Sequence, residues 1–229
     1  MKVEIHSHTR VHSGCSSISP HELVAMAEST GYDALFLTDH GKVWSGRELA
    51  ALREWADHVL IFPGIEISLP ESVDILVLGA SDPIYESLTT PSEVFAQACA
   101  DGFLTVIAHP FRWLDKLPSY CELADAIELR TCNYPSEEQA RIALDYAETK
   151  NLAGVHGSDA HGLNYMNRFW LETTESFSNP QEFRRLIVSG QYVNRMRDDE
   201  TILPPPYKAA SMAELSDEDR LVLQGEPLA

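Results

Sequence analysis

Five of the chain's nine histidines stand just past short apolar runs, in company with carboxylates, and this recurrence marks where chemistry could occur. His6-Ser-His8 follows Val3–Ile5, Asp39-His40 follows Ala34–Thr38, and Glu66 lies near the end of Leu60–Ile67. His109-Pro110 follows Leu104–Ala108, and Gly157-Ser-Asp159-Ala-His161 comes after Leu152–Val155. Side chains on an extended strand end alternate with period two, so both imidazoles of an H-x-H pair point the same way. Imidazoles with carboxylates make a borderline-hard N/O donor set, suited to Zn, Mn or Fe rather than to Ca or Mg. The number of donors suggests more than one ion, with Glu66 as a bridging carboxylate. Two ions about 3.5–4 Å apart would clamp a phosphoryl group and generate hydroxide at neutral pH. Taken singly, an H-x-H pair is weak, Asp39-His40 reads equally as a cap and a surface histidine, and Ser158–His161 as a turn. Glu66 is harder to dismiss, because an unpaired carboxylate in an apolar run is costly.

The elements that must carry these residues are short apolar strands alternating with longer helical stretches. Val73–Leu78 and Ala126–Leu129 complete a set of seven strand-like runs. Ser19-Pro-His-Glu22, Thr90-Pro-Ser-Glu93 and Asn179-Pro-Gln-Glu182 each place a capping residue, a Pro at N1 and a Glu at N3. Gly31, Gly102 and Gly190 sit where those helices should stop. Ser136–Lys150 is a further amphipathic helix, with Ile142, Ala143, Tyr146 and Ala147 inward. Apolar strands joined by helices imply a mostly parallel sheet covered by helices, either a small distorted β/α barrel or a doubly wound open sheet. Functional groups in such folds gather at the carboxyl ends of the strands. The pattern stops after Arg195, so residues 1–195 read as one domain and 196–229 as a linker and tail. Asp198-Asp-Glu200 and Pro204-Pro-Pro206 mark the linker, and Ser216–Leu223 a short helix.

The chain has 229 residues and 44% hydrophobic content, an ordinary globular composition with room for a sizeable core. Its net charge of −18 argues against duplex nucleic acid, which needs a basic footprint. No apolar run is long enough to span a membrane, and Met1–His6 lacks an apolar signal core, so a cytoplasmic location is expected. Cys15, Cys99, Cys121 and Cys132 show no C-x-x-C spacing and read as reduced thiols.

The ordered set His6-Ser-His8, Thr38-Asp-His40, Pro63-Gly-Ile-Glu66, His109-Pro-Phe-Arg112 and Ser158-Asp-Ala-His161 resembles the PHP (polymerase and histidinol phosphatase) family of metal-dependent phosphoesterases, over roughly residues 1–195. The resemblance implies a distorted (β/α)7 barrel with two or three divalent ions at the carboxyl ends of its strands. It implies that His6, His8, Glu66 and Asp159 hold one ion, that Glu66 bridges to a second held by His109, and that His40 and His161 hold a third. Two departures stand out. Asp74 occupies a run where the family often has a histidine, and Asp is a competent ligand for the same metals. The loop after His8, Thr9-Arg-Val-His-Ser-Gly-Cys-Ser16, is also unusual, and His12 is its foremost candidate ligand, ahead of Cys15.

Arg112, Arg130, Lys42 and Arg168 are candidates to bind phosphate, Arg112 through a bidentate fork. Asp39, as a partner orienting a ligand histidine, and His161 and Arg112 are the candidate catalytic groups. His21 and His58 read as structural, and His156 as packing or support. Trp44, Trp113 and Tyr134 could line a pocket. The expected activity is hydrolysis of a small phosphomonoester or phosphodiester, such as a nucleotide or a histidinol-phosphate-like metabolite. The alternatives are a non-catalytic or regulatory ligand-binding module, and a metal-dependent hydrolase of C–N bonds.

Overall fold

The computed structural model describes residues 1–133, 136–197 and 215–225; Tyr134 and the two expected linker marks, Asp198–Glu200 and Pro204–Pro206, lie outside the described residues. Each of the seven apolar runs forms a strand: β1 (Lys2–Glu4), β2 (Ala34–Leu37), β3 (Leu60–Leu69), β4 (Val73–Leu78), β5 (Leu104–Ala108), β6 (Ala126–Arg130) and β7 (Ala153–His156). Two more follow, β8 (Phe169–Thr173) and β9 (Tyr192–Met196), and the sheet order is β7-β6-β5-β4-β3-β2-β1-β8-β9. β1, β2 and β3 run parallel, as do β5, β6 and β7, whereas β4 is antiparallel to both its neighbours. The sheet curls until its ends nearly meet. A parallel bridge between Ser7 and Ala160 joins the exits of β1 and β7, and Tyr192 Oη and Asn194 Nδ2 of β9 donate to the Gly154 carbonyl of β7 (2.9 and 2.7 Å). The architecture is therefore a distorted (β/α)7 barrel with one reversed strand and an antiparallel addition, and not an open sheet.

Helices α1 (Pro20–Ser29) and α3 (Pro91–Asp101) start at Ser19 and Thr90 with complete capping boxes, and α5 (Pro180–Val188) starts at Asn179. Gly102 ends α3 at φ 72°, a left-handed cap that suits glycine. Helix α2 (Gly46–Arg53) has its own box at Ser45 and Glu48, and α4 (Glu137–Lys150) buries Ala140, Ala143 and Ala147. Strand alternation splits the apolar side chains into an interior and two outer layers. Val3, Ile5, Phe36, Phe62, Leu76, Val106 and Val155 face inward together, whereas Leu35, Leu37, Ile75 and Ile107 face the covering helices. Phe183, Leu186 and Ile187 of α5 plug the amino end of the barrel, which leaves the carboxyl end free for polar groups.

The expected C-terminal helix is present as α6 (Asp217–Gln224), and it packs on α1 and α2, with Val222 fully buried. That part of the 196–229 segment therefore belongs to the folded body. Among the described residues no helix is long and apolar enough to cross a membrane, and all four cysteines are free thiols.

Candidate metal centre

At the carboxyl rim the strands deliver their donors to one point. β1 runs straight into His6 and His8, and β2 into Asp39 and His40. The long β3 carries Glu66 to the same height, where it bridges to His40. Because β4 is reversed, its first residues and not its last reach the rim, which places Asp74 opposite Ala108 and next to His109. His109 follows β5 at φ 28° and Asp159 follows β7 at φ 50°, backbone conformations that cost non-glycine residues about 1–3 kcal/mol and cluster at functional positions.

His6, His8, Glu66 and Asp159 are each fully buried. His6 Nε2 lies 3.4 Å from Glu66 Oε2 and 3.3 Å from Asp159 Oδ1, and His8 Nε2 lies 3.2 and 3.3 Å from the same two oxygens. None of these four atoms makes a well-aligned hydrogen bond, although Glu66 Oε2 also lies 2.9 Å from His40 Nδ1. Buried polar atoms are rarely left so. A tetrahedral ion with ligands at about 2.0–2.1 Å requires edges of roughly 3.3–3.4 Å between donors, and the observed spacing fits. The other oxygen of Glu66 faces outward, 2.9 Å from His109 Nε2, and Asp74 Oδ2 is 3.9 Å from the same nitrogen. Donor atoms of Glu66, Asp74 and His109 thus gather as a second set, and those of His8, His40 and His161 as a third. Glu66 reaches into both the first and second sets, which is what a bridging carboxylate must do.

The electrostatics agree. Burial opposes ionisation of Glu66, yet the His40 and His6 rings and hydrogen bonds from His109 hold its carboxyl well below the usual range. Asp159 is likewise held low against burial, by His6 and His8. Burial and the neighbouring His161 ring push His8 well below an ordinary histidine. Burial opposes protonation of His6, but Glu128, Asp159 and Glu66 outweigh it and push its pKa well above an ordinary histidine, so the cluster as a whole attracts positive charge.

The groups that hold these donors in place were not read from the sequence. Glu128 Oε1 accepts from His6 Nδ1 (2.9 Å), and its Oε2 accepts from the His109 backbone N–H (2.7 Å). The ring is thereby oriented with Nε2 toward the cluster. Gly157 permits this approach, since a Cβ there would sit 2.7 Å from Glu128 Oε1. Fully buried Glu4 accepts from the backbone N–H groups of Ile5, His6 and Ser158 and from the Ser158 and Tyr32 hydroxyls, and burial raises its pKa. Asn133 Nδ2 donates to Asp159 Oδ2 (2.8 Å).

Several expected roles are corrected by position. Asp39 touches no histidine ring. It accepts from Thr9 N, Thr9 Oγ1 and Trp44 Nε1, so it staples the β1 and β2 loops together, and it is Glu128 that meets the His6 ring. His12 pairs with Glu48 (3.1 Å) and lies edge-on against Trp44, which is buried; neither lines the cavity over the cluster. Lys42 pairs with Glu86 at 2.6 Å, Arg130 with Glu137, and Arg168 Nε donates to the Asn164 carbonyl; none of the three lines the cavity over the cluster. Arg112 does line it, 4.0 Å from Asp159 Oδ2, with its guanidinium against the exposed Trp113 ring at 4.9 Å. His21 packs against Trp55, His58 pairs with Glu28, and His156 packs against Phe169 and donates to the Arg195 carbonyl. The cavity measures about 220 Å³ and is walled by His40, Asp74, His109, Arg112, His161, Asn133 and also Cys15. Burial raises the Cys15 pKa, but hydrogen bonds with the His161 and His40 rings outweigh this and bring it to about 7.

Comparison with known proteins follows the same line. A family model described as PHP-associated matches residues 137–192. A two-domain protein from Bacteroides vulgatus containing a predicted PHP-like metal-dependent phosphoesterase is similar in structure (TM-score 0.70, 20% identity), over 86% of this chain. The chain spans 64% of that protein's length. PsfC from Pseudomonas syringae is similar over 98% of this chain and 95% of its own (TM-score 0.66, 18% identity). An amidohydrolase from Chromobacterium violaceum, with bound sulfate and no metal, is similar over 70% of this chain and 88% of its own (TM-score 0.54, 16% identity). Curated proteins give no match. The barrel is thus shared with PHP-like structures, and the segment that matches the PHP-associated model spans α4 to the start of β9.

Proposed function

We propose that this protein is a metal-dependent phosphoesterase acting on a small phosphorylated molecule, with two or three divalent ions of the Zn, Mn or Fe class. The observation that carries this reading is the set of four buried donor atoms, none in a well-aligned hydrogen bond, at tetrahedral spacing beneath a small cavity that holds an arginine. His6, His8, Glu66 and Asp159 would hold the first ion, and Glu66, Asp74 and His109 the second. Bound there, such ions supply Lewis acidity, lower the pKa of water and neutralise charge on a phosphoryl group. Arg112 grips the phosphoryl oxygens through its fork and is braced for this by Asp159 and Trp113. Glu128, Glu4 and Asn133 hold the donors rigid, so little reorganisation is needed when charge develops. At about 220 Å³ the cavity suits a phosphoryl group with a modest substituent. That size, together with the net charge of −18, disfavours duplex nucleic acid, and a membrane partner has no support.

A second reading, hydrolysis of a C–N bond, draws on the similar amidohydrolase fold. The test is a panel of phosphomonoesters, phosphodiesters, amides and lactams, run after reconstitution with Mn, Zn and Fe(II). Hydrolysis of a phosphate ester that is lost in Glu66→Ala supports the proposal. Turnover of amides alone would favour the second reading, and silence across the panel would sink both.

A further inference from the structure

The far end of the sequence reaches the barrel rim through one ion pair. Asp219 of α6 is 1% exposed, and its Oδ2 accepts from Arg10 Nε (2.6 Å), Ser216 N–H (2.8 Å) and Ser216 Oγ (2.9 Å). Its Oδ1 is buried without a hydrogen-bond partner. A single oxygen therefore closes the capping box of α6 and holds Arg10, whose guanidinium also donates to Ser216 Oγ (3.2 Å). A buried carboxylate that loses its cation is left uncompensated, so the first turn of the helix and the arginine are coupled.

Arg10 opens the loop that follows His8, and its backbone N–H closes the base of that loop on the Ile18 carbonyl (2.8 Å). Within the loop, Ser13 Oγ accepts from the His40 backbone N–H (2.9 Å) and lies 3.4 Å from His8 Nδ1. Ser16 Oγ donates to the His8 carbonyl (2.8 Å), and Ser17 N–H donates to the His161 carbonyl (3.0 Å). The loop thus touches His8, whose Nε2 is 3.2 Å from Glu66 Oε2, and His40, whose Nδ1 is 2.9 Å from the same oxygen.

We infer that Asp219 is a positioning residue of the metal centre. Acting through Arg10, it fixes the loop over residues 9–17 so that His8 and His40 keep their ring nitrogens aimed at Glu66. The inference rests on the proposed metal centre. Groups behind a ligand ring set its aim and so its affinity for the ion. Here the chain of such groups runs from Ser13 through Arg10 to α6, which makes that helix a working part of the rim. Loosening the pair should leave the same atoms on the ion but let them release it sooner.

Metal release from the full chain tests this without reference to turnover. Zinc-loaded wild type and variants are mixed with excess EDTA and the loss of zinc is followed, with urea unfolding measured alongside. Asp219→Asn and Arg10→Ala should each release zinc about tenfold faster than wild type. The double variant should be no worse than the more severe single one, because both act through one contact. Arg10→Lys keeps a charged donor and should fall between, and it carries the test if Asp219→Asn does not fold. The control is Asp125→Asn, which breaks the Arg184–Asp125 pair (2.6 Å) away from the rim; it should lower stability and leave zinc release at the wild-type rate. Variants that unfold earlier yet release zinc at the wild-type rate would reduce α6 to a stabilising helix. Equal acceleration in Asp125→Asn would make the effect one of global stability. Either result overturns the inference and leaves the centre standing, whereas a wild type that binds neither zinc nor manganese overturns both.

Discussion

The two ends of the barrel are built from the same strands and answer opposite demands. At the amino end α5 inserts Phe183 among Phe36 and Phe177, with ring centroids 5.0 and 4.9 Å away, and its one strong polar contact there, Arg184 to Asp125, is fully paired. At the carboxyl end four charged or polar donors are buried without well-aligned hydrogen bonds, and His109, Phe111 and Asp159 take positive φ. One end contributes stability through apolar burial. The other spends it to keep lone pairs aimed at a point. A barrel can carry a costly site at one rim because the opposite rim is closed by packing.

This contrast can be broken or sharpened by substitution. The largest effect should come at the rim, where Glu66→Ala removes the oxygens shared between donor sets. Several kcal/mol of charge stabilisation are lost, so kcat/KM on any hydrolysed ester should fall by at least about a thousandfold. Steady-state kinetics with metal analysis checks this, and near-normal turnover would remove Glu66 from the centre. Next, Phe183→Ala at the closed end should cost about 3–5 kcal/mol in urea unfolding and leave metal content unchanged. A change in metal content there would show that the two ends are not separable.

His156 lies between the two regimes. Burial lowers its pKa to about 4, below the value of the unfolded chain. Above pH 6.5 neither state is protonated at this residue; as pH falls toward 4 the unfolded chain takes up a proton that the folded chain refuses, and stability is lost. Over that window the loss approaches about 3 kcal/mol, and His156→Phe should abolish it. Urea unfolding of metal-free wild type and variant at several pH values would show the difference in slope; parallel curves would contradict it. The smallest effect should be Arg112→Lys, which keeps the charge but loses the fork and should raise KM about tenfold with kcat less affected. An unchanged KM would take Arg112 out of phosphate binding.

Much of the closed framework was legible from sequence, because apolar runs and capping residues are local signals. All seven runs became strands, and Ser19, Thr90 and Asn179 became helix caps. β8 and β9 escaped because Phe169–Thr173 alternates burial and Tyr192–Met196 is largely exposed, a weaker pattern than a continuous apolar run. Helix α2 carries a local signal of the same kind, the box at Ser45 and Glu48. At the site, donors at strand ends were legible, whereas loop residues were not. His12 and Cys15 sit three apart in one loop, and only the hydrogen bonds of that loop decide which one faces the cavity. Glu128 and Glu4 carry the same signal as Glu66, a carboxylate inside an apolar run.

The first ten residues hold a further consequence, for the order in which the molecule can be assembled. Glu4 bonds Ser158 across 154 positions of sequence, and Arg10 bonds buried Asp219 of α6 across 209. β1 itself pairs with β8 as well as with β2. On a ribosome the earliest donors therefore emerge long before the segments that will fix them. Contacts of such separation are slow to form, since the intervening chain must first be ordered. The segment that carries His6 and His8 is thus tied to strands and a helix from the far side of the sequence, and the rim depends on contacts of that separation.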